Sequence, residues 1–281
     1  MIEVLLTGIH SSIQDLGRFG MQNTGIPIGG AMDQTAMQMA NSLLNNHKHS
    51  AVLEMSFKGP KLLFHQSTTI ALAGADMNAK LNEKPINNFT AIKIKENDLL
   101  QFGNAHQGKR TYLAVAGGFK NPKILNSRSQ YLGITPEATI SKTKLIPIDK
   151  VDLNLKKGAR LTLTESNASD TIPVYKGPEF YLLPKKAQDQ LAKQVFTISN
   201  KNSRMAYVLV EKLLHELPSI WTTPVLPGTI QCTPDGTLAI LMRDAQTTGG
   251  YPRVLQVSDE GINRLAQKST KDQFQFELTS V

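Results

Sequence analysis

Three short stretches concentrate the residues that could do chemistry. Late in the chain, Arg243-Asp-Ala-Gln-Thr-Thr-Gly-Gly-Tyr-Pro252 sets Asp244, Gln246, Thr247 and Tyr251 around a glycine pair, with Gln231 upstream in Gly228-Thr-Ile-Gln231. Near the start, Ser11-Ser-Ile-Gln-Asp-Leu-Gly-Arg-Phe-Gly20 carries Gln14, Asp15 and Arg18. Between them, Ser127-Arg128-Ser129 flanks a guanidinium with two hydroxyls. Carboxylates such as Asp15 and Asp244 can take a proton or orient an arginine. Guanidinium groups such as Arg18 and Arg128 match the oxygens of carboxylate or phosphate. Amides and hydroxyls supply hydrogen bonds to a polar ligand. Each stretch also has a plainer reading. The late loop would then satisfy only its own backbone, Asp15 and Arg18 would form an internal ion pair, and Arg128 would sit in a solvated turn.

The elements that must position these groups are mostly strands. Pro234-Asp-Gly236 has the residues of a tight turn, and Leu238–Met242 is a short apolar run bounded by turn signals, so it reads as a buried strand. That strand delivers the polar loop, where Gly249-Gly250 lets backbone come close to another group. Residues 2–6 read as a first strand, followed from Thr7 to Gly30 by an irregular, glycine-rich loop. Asp33 is placed to cap a helix carrying Ala36, Met39, Ala40, Leu43 and Leu44 inward, with Asn41 on a neighbouring face. Apolar runs at 51–53, 69–73, 91–94, 98–102 and 111–116 recur between turn residues, the spacing of a barrel or sandwich. Residues 165–171 form the best linker, dividing an N-terminal β-rich lobe (1–165) from a C-terminal lobe (172–281). A helix starting near Pro184 carries Ala187, Leu191, Ala192 and Val195 inward, a strand covers 205–210, and Ser258 caps a last helix with Ile262, Leu265 and Ala266. The expected class is mainly β with a few short helices.

Composition excludes several classes. The 281 residues are 40% hydrophobic and 6% aromatic, enough for a real core. The start lacks the basic and apolar regions of a secretory leader, no stretch is long enough to span a membrane, and the one cysteine, Cys232, suits a reducing compartment. A cytoplasmic protein with no membrane contact is expected. The net charge of +8 favours anionic partners, but the lysines are scattered without interleaved aromatics, so nucleic acid is not an expected partner. There is no Gly-Lys-Ser/Thr phosphate loop, no Gly-x-Gly-x-x-Gly and no Gly-x-Ser-x-Gly. His47 and His49 lack further ligands nearby, so no metal is expected. Cys232, in a strand beside a turn, reads as packed rather than nucleophilic.

Taken in order, the segments carry a family pattern. Ser12-Ile-Gln-Asp-Leu-Gly-Arg-Phe-Gly20 with Gly25-Ile-Pro-Ile-Gly-Gly-Ala-Met-Asp33 leads it. Asn41, Leu53-Glu54, Gly59-Pro60, Ala71–Asp76 and Tyr112–Gly118 follow. Ser127-Arg-Ser129, Gly228–Gln231, Pro234-Asp-Gly236 and Gln246–Pro252 complete it. The chain resembles the biotin-dependent carboxyltransferase family, also called allophanate hydrolase subunit 2 or KipA-like, which includes the C subunit of bacterial 5-oxoprolinase (PxpC).

That resemblance implies a cyclophilin-like β-barrel architecture. It also implies work in a heteromer with a KipI-like B-type protein and an A-type protein, opening 5-oxo-L-proline to L-glutamate with ATP as a co-substrate of the complex. Two other activities occur under the same resemblance: antagonism of a kinase inhibitor, and carboxyl transfer from carboxybiotin to a urea-like substrate. A chain of this length without a carrier segment fits the 5-oxoprolinase reading better, so biotin is not the expected cofactor. Under that reading Arg18 and Arg128 would hold anionic groups of a small-molecule substrate. Gln14, Asn41, Gln231, Gln246, Thr247 and Tyr251 would bind it, and Asp15 or Asp244 would act as base or orient an arginine. Two loops depart from the pattern. Gln130-Tyr131 is followed by Leu-Gly-Ile-Thr-Pro-Glu-Ala-Thr where glycines are usual. Asn202-Ser-Arg-Met-Ala-Tyr-Val208 has lost an acid, a glycine and an arginine while keeping Arg204, Met205 and Tyr207.

Overall fold

A computed structural model describes residues 1–151 and 170–279. They form two units, one built from 1–18 and 33–151, the other from 19–32 and 170–279. Residues 165–169 of the expected linker lie outside the described residues, and Thr171 already belongs to a strand.

In the first unit the strands are β1 (Ile2–Leu6), β2 (His10–Gln14), β3 (Val52–Ser56), β4 (Lys61–Phe64), β5 (Thr68–Gly74), β6 (Lys80–Leu81), β7 (Lys84–Pro85), β8 (Ala91–Ile94), β9 (Leu99–Gln101), β10 (Arg110–Val115) and β11 (Leu145–Ile146). They pair into two sheets, in the order β11-β1-β4-β9-β6-β7 and β2-β3-β10-β5-β8. One apolar cluster draws on both, with Ile2, Val4, Leu62 and Phe64 from the first and Ile13, Leu53, Leu72 and Leu113 from the second. Strand alternation explains the other face of the second sheet, where Ser12, Glu54 and Tyr112 stand opposite one another in register. The Tyr112 hydroxyl donates to Glu54 Oε2 at 2.9 Å and accepts from the Asp33 main-chain N–H at 2.7 Å. Burial pushes the Tyr112 hydroxyl well above its ordinary pKa, with Glu54 and Asp33 adding to the shift, so it remains a donor.

Helix α1 (Gln34–Ser42) starts where expected, with Asp33 Oδ1 accepting from Ala36 N at 2.9 Å. Its buried residues are Ala36, Met37, Ala40 and Asn41, so Met37 rather than Met39 faces inward, and Leu43 and Leu44 are buried just past its end. The larger correction is β2. The segment from Thr7 to Gly30, expected to be irregular throughout, contains a five-residue strand pairing His10–Gln14 with β3. It shows no apolar alternation because Ser11, Ser12 and Gln14 are buried as well as Ile13, each meeting polar neighbours rather than water.

The second unit is a closed barrel of seven strands: β12 (Thr171–Lys176), β13 (Val195–Asn202), β14 (Ala206–Lys212), β16 (Thr229–Cys232), β17 (Thr237–Leu241), β19 (Arg253–Val257) and β20 (Gln273–Leu278). A short ribbon of β15 (Thr223–Pro224) and β18 (Thr248–Gly249) accompanies it. Closure comes from the parallel pairing of β12 with β20, and it removes the exposed edges an open sheet would leave. Inside lie Phe196, Phe274 and Phe276, with ring centroids 5.0 to 6.4 Å apart, beside Ile230, Ile240 and Leu255. Helix α2 (Lys185–Lys193) buries Ala187 and Leu191. Ala192 and Val195, expected inside, are exposed, because Val195 already begins β13 and the helix stops before it. Helix α3 (Asp259–Ala266) is capped by the Ser258 hydroxyl, which accepts from Gly261 N at 3.0 Å, and buries Ile262, Leu265 and Ala266 as expected.

The turn between β16 and β17 closes with Gly236 at φ 82°, where a Cβ would fall 2.2 Å from the Leu213 carbonyl oxygen. No other residue fits there. Asp235 accepts from Lys212 Nζ at 2.6 Å and from the hydroxyls of Thr233 and Thr237, and these bonds hold its carboxyl well below the usual aspartate range. A lowered folded pKa means that this contribution is complete above the ordinary aspartate pKa of about 4 and is lost as the pH falls through the folded value. The melting-temperature gap between wild type and Asp235→Asn should therefore be largest near about pH 6 and narrow toward about pH 3. Cys232, fully buried in β16, has its thiol pushed up to about 12 by burial and by Asp235. Native protein at about pH 8 should resist alkylation by iodoacetamide and take up one label only after unfolding, as read by intact mass.

Candidate functional site

The candidate residues fall into one cluster in each unit. In the first unit, the Asp15 carboxylate is buried and fully engaged. Its Oδ1 accepts from the Ser127 hydroxyl at 2.6 Å, the Ser129 hydroxyl at 2.7 Å and Gly17 N at 2.8 Å, while Oδ2 accepts from Arg128 N at 2.6 Å. Arg18, also buried, donates through Nε to the Ile124 carbonyl at 3.2 Å and through its terminal nitrogen to the Ser129 carbonyl. Asp15 and Arg18, for which an internal ion pair was the plainer reading, share a grip on the 124–129 loop. The donors to the carboxylate include both serine hydroxyls and the Arg128 N–H of that loop, with Gly17 N from its own turn.

Arg128 is half-buried. Its guanidinium donates to the Asn121 carbonyl, and Asn121 Nδ2 returns a bond to the Arg128 carbonyl at 2.8 Å. It is therefore held against its own loop rather than standing in a solvated turn. Gln14 Nε2 donates to Ser12 Oγ at 2.9 Å and to the Gln130 carbonyl at 3.1 Å, which leaves Gln14 Oε1 buried without a partner among the described residues. Asn41 lies apart from this cluster. It donates to the Ser50 carbonyl at 2.9 Å and accepts from Asn46 Nδ2 at 3.0 Å, pinning the turn after α1. His47 and His49 stack on one another with centroids 5.1 Å apart, and among the described residues no group of three or more His, Cys, Asp or Glu side chains is placed to hold a metal ion.

In the barrel unit, Asp244 receives Arg204 in a bidentate pair, Nε to Oδ2 at 2.7 Å and the terminal nitrogen to Oδ1 at 2.9 Å, while that nitrogen also reaches the Gly30 carbonyl at 2.6 Å. Arg204 is the residue to which the sequence alone gave no role. Its survival in a loop that otherwise departs from the family pattern was the signal available, and its acidic partner 40 positions away was not. Gln231 and Gln246 meet through Gln246 Nε2 donating to Gln231 Oε1 at 3.3 Å. Gln231 Nε2 and Gln246 Oε1 are then buried with no partner among the described residues, as is the Thr223 hydroxyl on the ribbon strand β15. A Cβ at Gly249 would fall 2.3 Å from Gln231 Nε2, so the glycine makes room for that amide. An unmet donor and an unmet acceptor on adjacent amides form an edge of the kind that pairs with a second amide. The Thr247 carbonyl accepts from Val225 N at 3.0 Å, tying the loop to the ribbon, and Tyr251 stands 41% exposed beyond it.

The two clusters thus differ in what they can do. The Asp15 carboxylate is fully engaged by its neighbours, with Gln14 Oε1 the unmet acceptor beside it, whereas the glutamine pair keeps both a free donor and a free acceptor. Asp15→Ala would orphan two hydroxyls and two main-chain N–H groups in a buried loop. It should lower stability by about 3 kcal/mol or more in urea unfolding, with Asp15→Asn recovering part of the loss.

Comparison with known proteins gives consistent results. The family model for the carboxyltransferase domain, subdomain A and B, matches residues 24–278. The 5-oxoprolinase C subunit of Haemophilus influenzae is 30% identical over 288 residues, covering 100% of this chain and 92% of that protein. The protein of the same name from Escherichia coli is 30% identical over 275 residues, covering 95% of this chain and 87% of its own. Among solved structures, the Kluyveromyces lactis urea carboxylase superposes with a TM-score of 0.87 at 25% identity, and the K. lactis urea amidolyase with 0.88 at 25%. Each superposition covers 99% of this chain but only 27% and 19%, respectively, of the larger enzyme. These likenesses accord with the mainly β class and the barrel.

Proposed function

Because the chain belongs to the carboxyltransferase-domain family, we propose that it is the PxpC-like component of an ATP-dependent 5-oxoprolinase complex. In that complex it opens 5-oxo-L-proline to L-glutamate together with a KipI-like B-type protein and an A-type protein. The observation that carries this reading is the match, over most of both chains, to two proteins named as the C subunit of 5-oxoprolinase. The larger urea enzymes, by contrast, are matched over only a fraction of their length.

A lactam is a resonance-stabilised amide. Opening it at neutral pH requires activation of its carbonyl, donors aimed at the oxygen as charge develops, and a clamp for the substrate carboxylate. In this reading ATP is the co-substrate of the complex and supplies the activation. Gln231 and Gln246 meet the lactam with their unpaired amide groups, Thr247 and Tyr251 flank it, and Asp244 acts by holding the Arg204 guanidinium in place. Arg128, half-buried, is the residue suited to an anionic group. Asp15, Arg18, Gln14 and Asn41 serve by positioning the loops that carry the others. Biotin has no part in this reaction.

A second reading, carboxyl transfer from carboxybiotin to a urea-like substrate, is favoured by the superposition on urea carboxylase. A third, a regulatory protein that sequesters a KipI-like partner, needs no turnover at all. Reconstitution of this chain with its B-type and A-type partners, ATP and 5-oxoproline separates the three. The proposal expects glutamate to accumulate only when all components are present, and Gln246→Leu to lower turnover at least about tenfold while the complex still assembles on gel filtration. A stable complex that forms no glutamate would overturn the proposal in favour of the regulatory role. Consumption of carboxybiotin without lactam opening would favour carboxyl transfer.

A further inference from the structure

The first unit contains a cavity of about 180 Å³ that none of the residues discussed under the proposed function needs. Its wall is mostly apolar, with four isoleucines, Ile13, Ile124, Ile140 and Ile146, and the prolines Pro122, Pro136 and Pro147. An apolar cavity of about 150 Å³ is large enough to take benzene. The wall is preorganised. Gln130 N donates to the Ile13 carbonyl at 2.8 Å and Gln130 Oε1 accepts from Ile13 N at 2.8 Å. Ile140 N donates to the Ser11 carbonyl at 2.9 Å, and Thr135 Oγ1 donates to the Glu137 carbonyl at 2.7 Å while accepting from Tyr131 N at 2.8 Å. Thr135, Pro136 and Glu137 of this wall come from the stretch after Tyr131 in which the chain departs from the family pattern.

Two charged side chains line it, Glu137 and Lys144, paired at 2.8 Å with 35% and 44% of their side chains exposed. An exposed pair of this kind is worth little, so a ligand carboxylate can take the place of Glu137 on the ammonium with small loss. The sign of the surroundings agrees. Between 120 and 144 the chain carries Lys120, Lys123, Arg128, Lys142 and Lys144 against Glu137 alone, and of the others Lys120 is paired with Asp149 at 2.8 Å. We propose that this cavity is a binding site for a small monocarboxylate with a ring-sized apolar body, its carboxylate on Lys144 and its body among the four isoleucines.

The isoleucines provide the test. In full-length protein labelled at isoleucine δ1 methyls, titration with phenylacetate should shift the signals of Ile13, Ile124, Ile140 and Ile146 saturably, with half-saturation at or below about 1 mM. The neutral analogue phenylacetamide should bind several-fold more weakly. Lys144→Gln, an exposed change, should weaken phenylacetate by a similar factor and leave phenylacetamide unaffected. Ile140→Phe should fill the cavity and weaken both at least about tenfold. Should that variant fail to fold, Ile124→Phe, on the same wall, replaces it. No saturable shift at these methyls would overturn the site. Equal binding of acid and amide, or indifference to Lys144→Gln, would overturn the carboxylate assignment.

Discussion

A buried carboxylate cannot be left without partners, and in the first unit that requirement shapes the chain around Asp15. Removing a charged oxygen pair from water is strongly unfavourable. Here the penalty is offset by four donors drawn from two places more than a hundred residues apart. Ser127, Arg128 and Ser129 are brought to the end of β2 because their hydroxyl and N–H groups satisfy Asp15, and Arg18 completes the junction by donating to carbonyls of the same loop. Gln130 continues it, exchanging hydrogen bonds with Ile13. The polar residues of Gln14–Arg18 and of Ser127–Ser129 are joined to one another by these hydrogen bonds. The conformation of the 124–140 loops, and with it the wall of the isoleucine cavity, rests on them.

The barrel unit works by a different constraint. Closure pairs its seven strands with one another and leaves no open edge. Gln231 and Gln246 make one hydrogen bond to each other and retain one unmet group apiece, made possible by the missing side chain at Gly249. Buried groups left unpaired destabilise by about 1–3 kcal/mol each, a penalty that a bound ligand relieves. An unmet donor beside an unmet acceptor is the physical reason the proposed function places the lactam at the glutamine pair.

Much of the architecture was legible before any coordinates. Turn residues and short apolar runs located β1, β3, β5, β8, β9, β10, β14 and β17 to within a few residues, and the caps Asp33 and Ser258 marked the starts of α1 and α3. These readings succeed because they rest on local chemistry, on φ preferences and on first-turn N–H groups that need an acceptor. β2 was missed because its buried side chains are largely serines and glutamine, whose partners come in part from distant segments. The inward face of α1 was misread at Met37 and Met39 because helical spacing alone does not say which of two neighbouring stripes meets the sheet.

What the sequence determined by itself was the inventory and the family: the ordered segments, the mainly β class, and the set of polar residues from which any site must be drawn. Tertiary structure decided how that inventory is used. Asp15 binds Ser127 and Ser129, Arg204 finds Asp244, and four isoleucines from separate segments line one cavity. Hydrogen-bond partnership and enclosure are properties of groups far apart in the chain. Residue type limits which bonds a side chain can form, and only the folded geometry selects the ones it makes.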